Sequence, residues 1–290
     1  MNKEDLEVVE IYPHILVYKN LFKDISKSYN VLTDSLLETE DRVFSPWTKW
    51  SIFGEYISPI VPYFSLLDSW GNLKKINPKT KIQEEQKKFA IEMMENFYLA
   101  TEDYIKRYNI DVDLSETSTD EDGNLVQTWR WWGGSIAKYD ISTSDNEIGM
   151  RYHSDYMREE ASAPGYKFVI TCTMYFNDDY DGGEIDFAMG KKLVKYKPEA
   201  GDVLVFPSGH PDYLVENGEP YLHGVMPAYN KNKFLVRMYW QKYQKGTDEW
   251  YKKEQEFGKE VWASMQEDIK QEFRLKNVQR DKIENGIRLS

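Results

Sequence analysis

Residues 168–177 read FVITCTMYFN and residues 233–240 read KFLVRMYW, and the alternation in these two stretches decides the fold class. Side chains leave an extended strand on opposite faces with a period of two. In the first stretch Phe168, Ile170, Cys172, Met174 and Phe176 share one face, and Thr171, Thr173, Tyr175 and Asn177 the other. In the second, Phe234, Val236, Met238 and Trp240 oppose Lys233, Leu235, Arg237 and Tyr239. An all-apolar face backing one with two cations fits a barrel strand covered by helices outside and lining a charged-ligand pocket inside. A buried polar face needs partners, and a bound dicarboxylate would supply them. Cys172 falls on the apolar face as a core residue.

Around these stretches, from Leu125 to Trp240, short β-type runs are separated by turns at GG, NEIG, APG, DGG, PEAG, ENGEP and NKN. Such spacing indicates an antiparallel sandwich or barrel. Upstream, residues 11–22, IYPHILVYKNLF, read as a strand with His14 in a structural role. KDISKSYNVLTDSLL then reads as a helix capped by Asp24 or Ser26. Residues 41–80 are rich in Trp, Pro, Ser and Gly and read as an irregular insertion. From Thr80 the period is helical: Ala90, Met93, Phe97, Thr101, Tyr104 and Tyr108 form one buried stripe. Thr80 and Gln83 fit a capping box, with Asn77-Pro78 as an alternative start. Residues 111–124 form an acidic loop that does not match an EF-hand and closes with an Asp-Gly turn. After Thr247 or Asp248 the helical period returns through Trp250, Phe257, Val261, Met265, Ile269 and Phe273. The expected organisation is a support region over 1–124, a β core over 125–245 and a C-terminal helix within 246–290, as one structural unit.

Whole-chain numbers narrow the function classes. The 290 residues suffice for a sizeable core, and 41% hydrophobic content excludes a disordered chain. A net charge of −12 argues against nucleic-acid partners, whose binding rests on Lys and Arg. No apolar run approaches a membrane span, and the acidic start MNKEDLEVVE lacks the order of a signal peptide. A cytoplasmic location is therefore expected, and high Lys, Asn, Ile and Tyr usage suits a bacterial or phage source. A single cysteine forbids an intrachain disulfide or a thiolate metal cluster. Any metal must be held by His, Asp or Glu.

The four histidines are His14, His153, His210 and His223. In MRYHSDY, residues 150–156, His153 and Asp155 are two apart and leave an extended strand on the same face. An imidazole and a carboxylate so placed are two of the three ligands of a facial triad, which holds Fe(II) and leaves open positions. The third ligand should be a histidine on another strand. His223 opens a β-type run in YLHGVMPAY and is the better candidate; His210, between Gly and Pro, is the reserve.

The block from about Gly134 to Tyr243 resembles the 2-oxoglutarate- and Fe(II)-dependent oxygenases, nearest to their prolyl-4-hydroxylase-like branch. The matching features are HSD, the strand TCTMYFN with the following DGGE, AGDVLVFPS, and HGVMPAY followed by a basic residue. The intervals also suit that branch: 70 residues from His153 to His223, and 10 from His223 to Lys233. The opening IYPHILVYKNLFKDISKSY resembles the start of these proteins.

The resemblance implies a mainly β fold with flanking helices (α+β). Its core would be a double-stranded β-helix, the cupin-like jelly-roll, with a long N-terminal support helix and a C-terminal helix packed outside. It implies iron on His153, Asp155 and His223. It also implies Lys233 on the distal carboxylate of 2-oxoglutarate with Tyr175 beside it, and Tyr139 near the cosubstrate. Leu235 departs from the Ser or Thr that many relatives have two residues after the anchor, and Arg237 is the alternative anchor. The implied cofactors are Fe(II), 2-oxoglutarate as cosubstrate and O2, with ascorbate for sustained turnover. The implied reaction hydroxylates a C–H bond of a prolyl residue in a protein or peptide, or else of a free amino acid or other small molecule. Trp129, Trp131, Trp132 and the loop YMREEASAPGYK flank the site in sequence, with at least two of the tryptophans expected in the core. Competing readings are a noncatalytic jelly-roll binding module and a cupin-like metal enzyme using water, which would need no keto-acid anchor.

Overall fold

The computed structural model describes residues 6–23, 25, 48–51, 54–57, 77–120, 122–142, 149–155, 165–189, 192–209 and 221–244. The chain opens with β1 (Val8–Tyr12) and β2 (Ile15–Tyr18), paired as an antiparallel hairpin. The single strand expected over 11–22 is thus broken. Pro13 and His14 form the turn, and His14 adopts φ 66°, a left-handed value no extended strand contains. Its ring packs on Tyr108 at 4.5 Å. Next come β3 (Thr48–Ser51) and β4 (Gly54–Ile57). They give regular structure to part of the stretch expected to be irregular.

The helix α1 (Lys81–Arg107) follows. Its interior has neither Gly nor Pro, and Glu84 in the first turn with Lys106 and Arg107 in the last complements the helix dipole. Asn109, at φ 49°, ends it: Ile110 N–H donates to Ile105 O at 3.0 Å and Asn109 N–H to Lys106 O at 3.3 Å. That is a Schellman cap with Asn in the left-handed position. The expected acidic loop is a hairpin of β5 (Thr117–Thr119) and β6 (Leu125–Gln127). Asp120 accepts the N–H of Asp122 and Asn124, and Gly123 takes φ 84°, which only glycine adopts at little cost.

The remaining strands are β7 (Trp129–Tyr139), β8 (Met150–His153), β9 (Tyr166–Tyr175), β10 (Asp181–Gly182), β11 (Ile185–Met189), β12 (Lys192–Tyr196), β13 (Val203–Pro207), β14 (Leu222–Val225), β15 (Ala228–Tyr229) and β16 (Lys233–Tyr243). One sheet has eight strands in the order β1-β2-β13-β9-β16-β7-β4-β3, and a second has four in the order β12-β11-β14-β8. The ladders are antiparallel throughout, and the mainly β jelly-roll with a helix outside is the expected fold.

The helix packs against β9 and β13 of the larger sheet. Phe89, Ala90, Met93, Phe97, Ala100 and Tyr104 of α1 share one buried cluster with Ile170, Cys172, Met174 and Phe176, and with Phe234, Val236, Met238 and Trp240. These are the apolar faces legible in the alternation. A second cluster fills the space between the sheets, where Val17, Ala137, Tyr175, Phe187, Leu204, Phe206 and Leu235 meet. Phe168 departs from its expected face. A bulge where β9 meets Trp240 and Gln241 turns the strand over, so Val169 joins Ile170 in the outer cluster and Phe168 stacks on Tyr239 at 4.2 Å. Trp129 and Trp131 are core residues. The helices expected after Lys23 and after Thr247, and His210, lie outside the described residues. Among the described residues no helix is long and apolar enough to cross a membrane.

Candidate metal centre

Strand pairing brings the two histidines together. β14 runs antiparallel to β8 with His223 directly opposite His153, and their ring centroids are 4.5 Å apart. Asp155 follows two residues after His153, just beyond the end of β8. One carboxylate oxygen lies 3.3 Å from His153 Nε2 and the other 3.5 Å from His223 Nε2. Donor atoms from the three residues fall within 4.8 Å of one another. Ligands bonded at about 2.1 Å and at right angles sit about 3 Å apart, so these spacings suit adjacent positions on one ion. Two imidazoles with one carboxylate is the donor set for Fe(II) with open positions. The residues fit that metal.

The surroundings fix the ligands in binding form. His223 Nδ1 lies 3.1 Å from Tyr221 O; a carbonyl only accepts, so Nδ1 carries the proton and Nε2 keeps its lone pair toward Asp155. Burial drives the His223 pKa down to about 4, against the pull of Asp155 and with the repulsion of His153 and Arg237 adding to the fall. Neutral imidazole is the ligating form. The Thr171 hydroxyl donates to Asp155 Oδ2 at 2.8 Å and lies 2.8 Å from Ser208 Oγ. Ser154 in turn donates to Ser208 O at 2.7 Å. Thr171→Val keeps the shape and deletes the bond that aims Asp155. Fe(II) affinity in an anaerobic titration should fall about tenfold to a hundredfold, with the melting temperature of the metal-free protein changed little.

A small cleft of about 20 Å³ adjoins the triad. Tyr139, Tyr175, Leu235 and Arg237 line it together with the three candidate ligands. Lys233 stands behind this wall. It is 0% exposed, donates to Gly183 O at 2.6 Å, and lies 5.0 Å from the ring centre of Tyr175, 5.8 Å from Tyr180 and 5.9 Å from Tyr139. Among the described residues no carboxylate makes an ion pair with it. Burial lowers its pKa to about 7, with Lys197 lowering it further and Glu184 opposing. The register explains the grouping: Lys233 sits opposite Tyr139 on β7, and Leu235 opposite Tyr175 on β9. Thr171 was legible only as part of an inward polar face. Ser208 and the Tyr180 ring were not singled out, because neither carries a sequence signal beyond a turn.

Fold and site thus define a class, a jelly-roll with a two-histidine, one-carboxylate metal site. Residues 135–242 match the model of the 2OG-Fe(II) oxygenase superfamily, and that span contains all three candidate ligands, Lys233 and Arg237. The matched segment, which carries the candidate ligands, is similar to a 2OG-Fe(II) oxygenase domain. No curated protein matches it in sequence. Among solved structures, it is similar to a viral collagen prolyl hydroxylase from Paramecium Bursaria Chlorella virus-1 in complex with 2OG, at 14% identity and a TM-score of 0.43 over 80% of this chain and 97% of that one. A Pseudomonas putida prolyl-4-hydroxylase gives 12% identity and 0.40, over 80% and 94%. A Trichoplax adhaerens prolyl hydroxylase in complex with a hypoxia inducible factor peptide fragment gives 15% and 0.42, over 79% and 83%.

Proposed function

We propose that the domain holds Fe(II) on His153, Asp155 and His223, anchors 2-oxoglutarate through Lys233 and Tyr175, and hydroxylates an unactivated C–H bond of a prolyl group. The observation that carries this reading is the pairing of a three-donor cluster with a completely buried ammonium that has no carboxylate partner among the described residues. A buried charge without a counter-charge is costly, and an incoming carboxylate removes that cost. The prolyl assignment rests on the motif resemblance of HSD, DGGE and HGVMPAY.

When bound, Fe(II) and 2-oxoglutarate supply the oxidising chemistry, in which O2 is consumed, the oxo acid becomes succinate and CO2, and one oxygen atom enters the substrate. The chain's own residues position these groups. Thr171 holds the Asp155 carboxylate, and Tyr221 O holds the His223 ring. Lys233 and the Tyr175 phenol receive the far carboxylate and Tyr139 closes the same end, while Phe187 and Phe206 pack on the His223 ring at the metal end. Ascorbate serves to sustain turnover.

The decisive experiment follows succinate release by Fe(II)-loaded protein across prolyl peptides and free amino acids. Release that requires both Fe(II) and 2-oxoglutarate, and that a prolyl compound accelerates, supports the reading. Absence of any 2-oxoglutarate-dependent succinate sinks it.

The Lys233 pKa also sets a pH dependence. The dianionic cosubstrate binds the ammonium form and raises its pKa, so affinity is full below about pH 7. Above that it falls about tenfold per pH unit, up to the pKa of the complex. Calorimetric titration of the Mn(II)-loaded protein between pH 6 and 8.5 checks this, and a flat profile counts against Lys233 as anchor.

A further inference from the structure

The 180–183 turn holds two ammonium groups by its main chain. Lys197, just past the end of β12, donates to Tyr180 O at 2.8 Å and also to Gly182 O. Lys233 donates to the next carbonyl, Gly183 O. Gly182 and Gly183 take φ 65° and 71°, left-handed values that glycine adopts at little cost. The turn is tied from its other side, where Gly183 N–H donates to Pro227 O at 2.7 Å. It also has no slack, because a Cβ on Gly183 would fall 2.5 Å from the Tyr180 ring and 3.5 Å from Lys233 Cδ. The same ring carries the Lys197 head at 3.9 Å from its centre. A salt bridge does not account for Lys197. Glu184, Asp181 and Asp178 in the same segment favour its charged form, yet its hydrogen bonds go to main-chain carbonyls. Two ammonium heads thus share one turn, an arrangement that like charges resist and that an arriving carboxylate relieves.

We propose that Lys197 is a positioning residue for the cosubstrate: it clamps the 180–183 turn, and the turn presents the Lys233 head to the far carboxylate. This rests on the anchoring role given to Lys233 above. Lys197 is not among the residues lining the cleft and acts through Lys233. The groups facing Lys233 are Tyr139 on β7, Tyr175 on β9, Tyr180 in the turn, Glu184 before β11 and Lys197 after β12. Burial lowers the Lys233 pKa most, repulsion from Lys197 lowers it further, and Glu184 opposes both. Loss of Lys197 therefore has two consequences. The turn loosens, which weakens cosubstrate binding at a pH where Lys233 is charged. Lys233 also keeps its proton to higher pH, which moves the fall in affinity upward. A residue that merely supports the fold produces the first change without the second.

The test uses the full chain with two substitutions. Lys197→Met keeps the length and removes the charge, while Lys197→Arg keeps the charge and can still donate to two carbonyls. Calorimetry follows 2-oxoglutarate binding to the Mn(II)-loaded protein from pH 6 to 8.5. Carbon NMR of labelled lysine side chains follows the Lys233 titration in protein free of metal and cosubstrate, with Lys233→Met giving the assignment. In Lys197→Met the affinity at pH 6 should fall about threefold to tenfold, the worth of one hydrogen bond. The Lys233 midpoint and the break in affinity should both move to higher pH. In the Fe(II) enzyme the 2-oxoglutarate concentration for half-maximal rate should change far more than the saturated rate. Lys197→Arg should recover most of the affinity. An affinity in Lys197→Met within about twofold of wild type, with its break at the same pH, overturns the proposal. A loss that is equal at every pH, with the Lys233 midpoint unmoved, overturns it too, because Lys197 then only supports the fold. Wild-type protein that binds no 2-oxoglutarate fails the function proposed above. The lysine titration, read without cosubstrate, then judges the clamp by itself: a Lys233 midpoint that moves in Lys197→Met supports it, and one that stays overturns it.

Discussion

Asp155→Ala is expected to lower 2-oxoglutarate-dependent succinate release by at least about a thousandfold, the cost of losing one buried charge opposite another. The effect is large because the carboxylate is the one negative group in the donor cluster. With it gone, a divalent cation would sit between two neutral imidazoles in a buried site. Asp155→Asn separates charge from shape, since an amide oxygen still accepts the Thr171 hydroxyl. Both variants should therefore fail alike in Fe(II) titration while their far-ultraviolet circular dichroism stays that of the parent. His153→Ala and His223→Ala should join them, and chelation of the metal should reproduce the loss reversibly. Wild-type turnover in Asp155→Asn would remove Asp155 from the metal.

Lys233→Met should produce two opposite changes. The 2-oxoglutarate concentration for half-maximal rate should rise about tenfold to a hundredfold, the worth of a charge-assisted hydrogen bond, with the saturated rate altered far less. At the same time the cosubstrate-free protein should become more stable, because a buried ammonium is replaced by an apolar side chain of similar length. The sign follows from the lowered pKa. Below about pH 7 folded and unfolded lysine are both charged and the burial penalty is complete. From there toward the ordinary lysine value the unfolded chain holds the extra proton, so wild-type stability gains with rising pH relative to the variant. Urea unfolding at pH 6.5 and pH 8.5 measures this. A variant less stable than wild type at both values, with normal cosubstrate affinity, would make Lys233 a structural residue.

Much of the site was legible because strands alternate. The inward face of β16 was readable as Lys233, Leu235, Arg237 and Tyr239 from residue order alone, and the outward face as core. The same reading failed at Phe168, where an inserted bulge shifts the period by one, and bulges leave no mark in a hydrophobic pattern. It failed at Pro13-His14 because a left-handed histidine is unusual. The two strands within 41–80 were hidden because β4 is ordered by pairing with β7, far along the chain.

By itself, the residue order determined which side chains share a face, which metal donors exist and how many, since period and composition are local properties. It could not decide that His223 lies opposite His153, that Thr171 steadies Asp155, or that Lys233 is sealed behind Tyr175 while Arg237 reaches the cavity. Those facts depend on register between strands separated by up to about a hundred residues. Register is settled only when both sheets close on a common core, where a one-residue slip would turn every inward group outward.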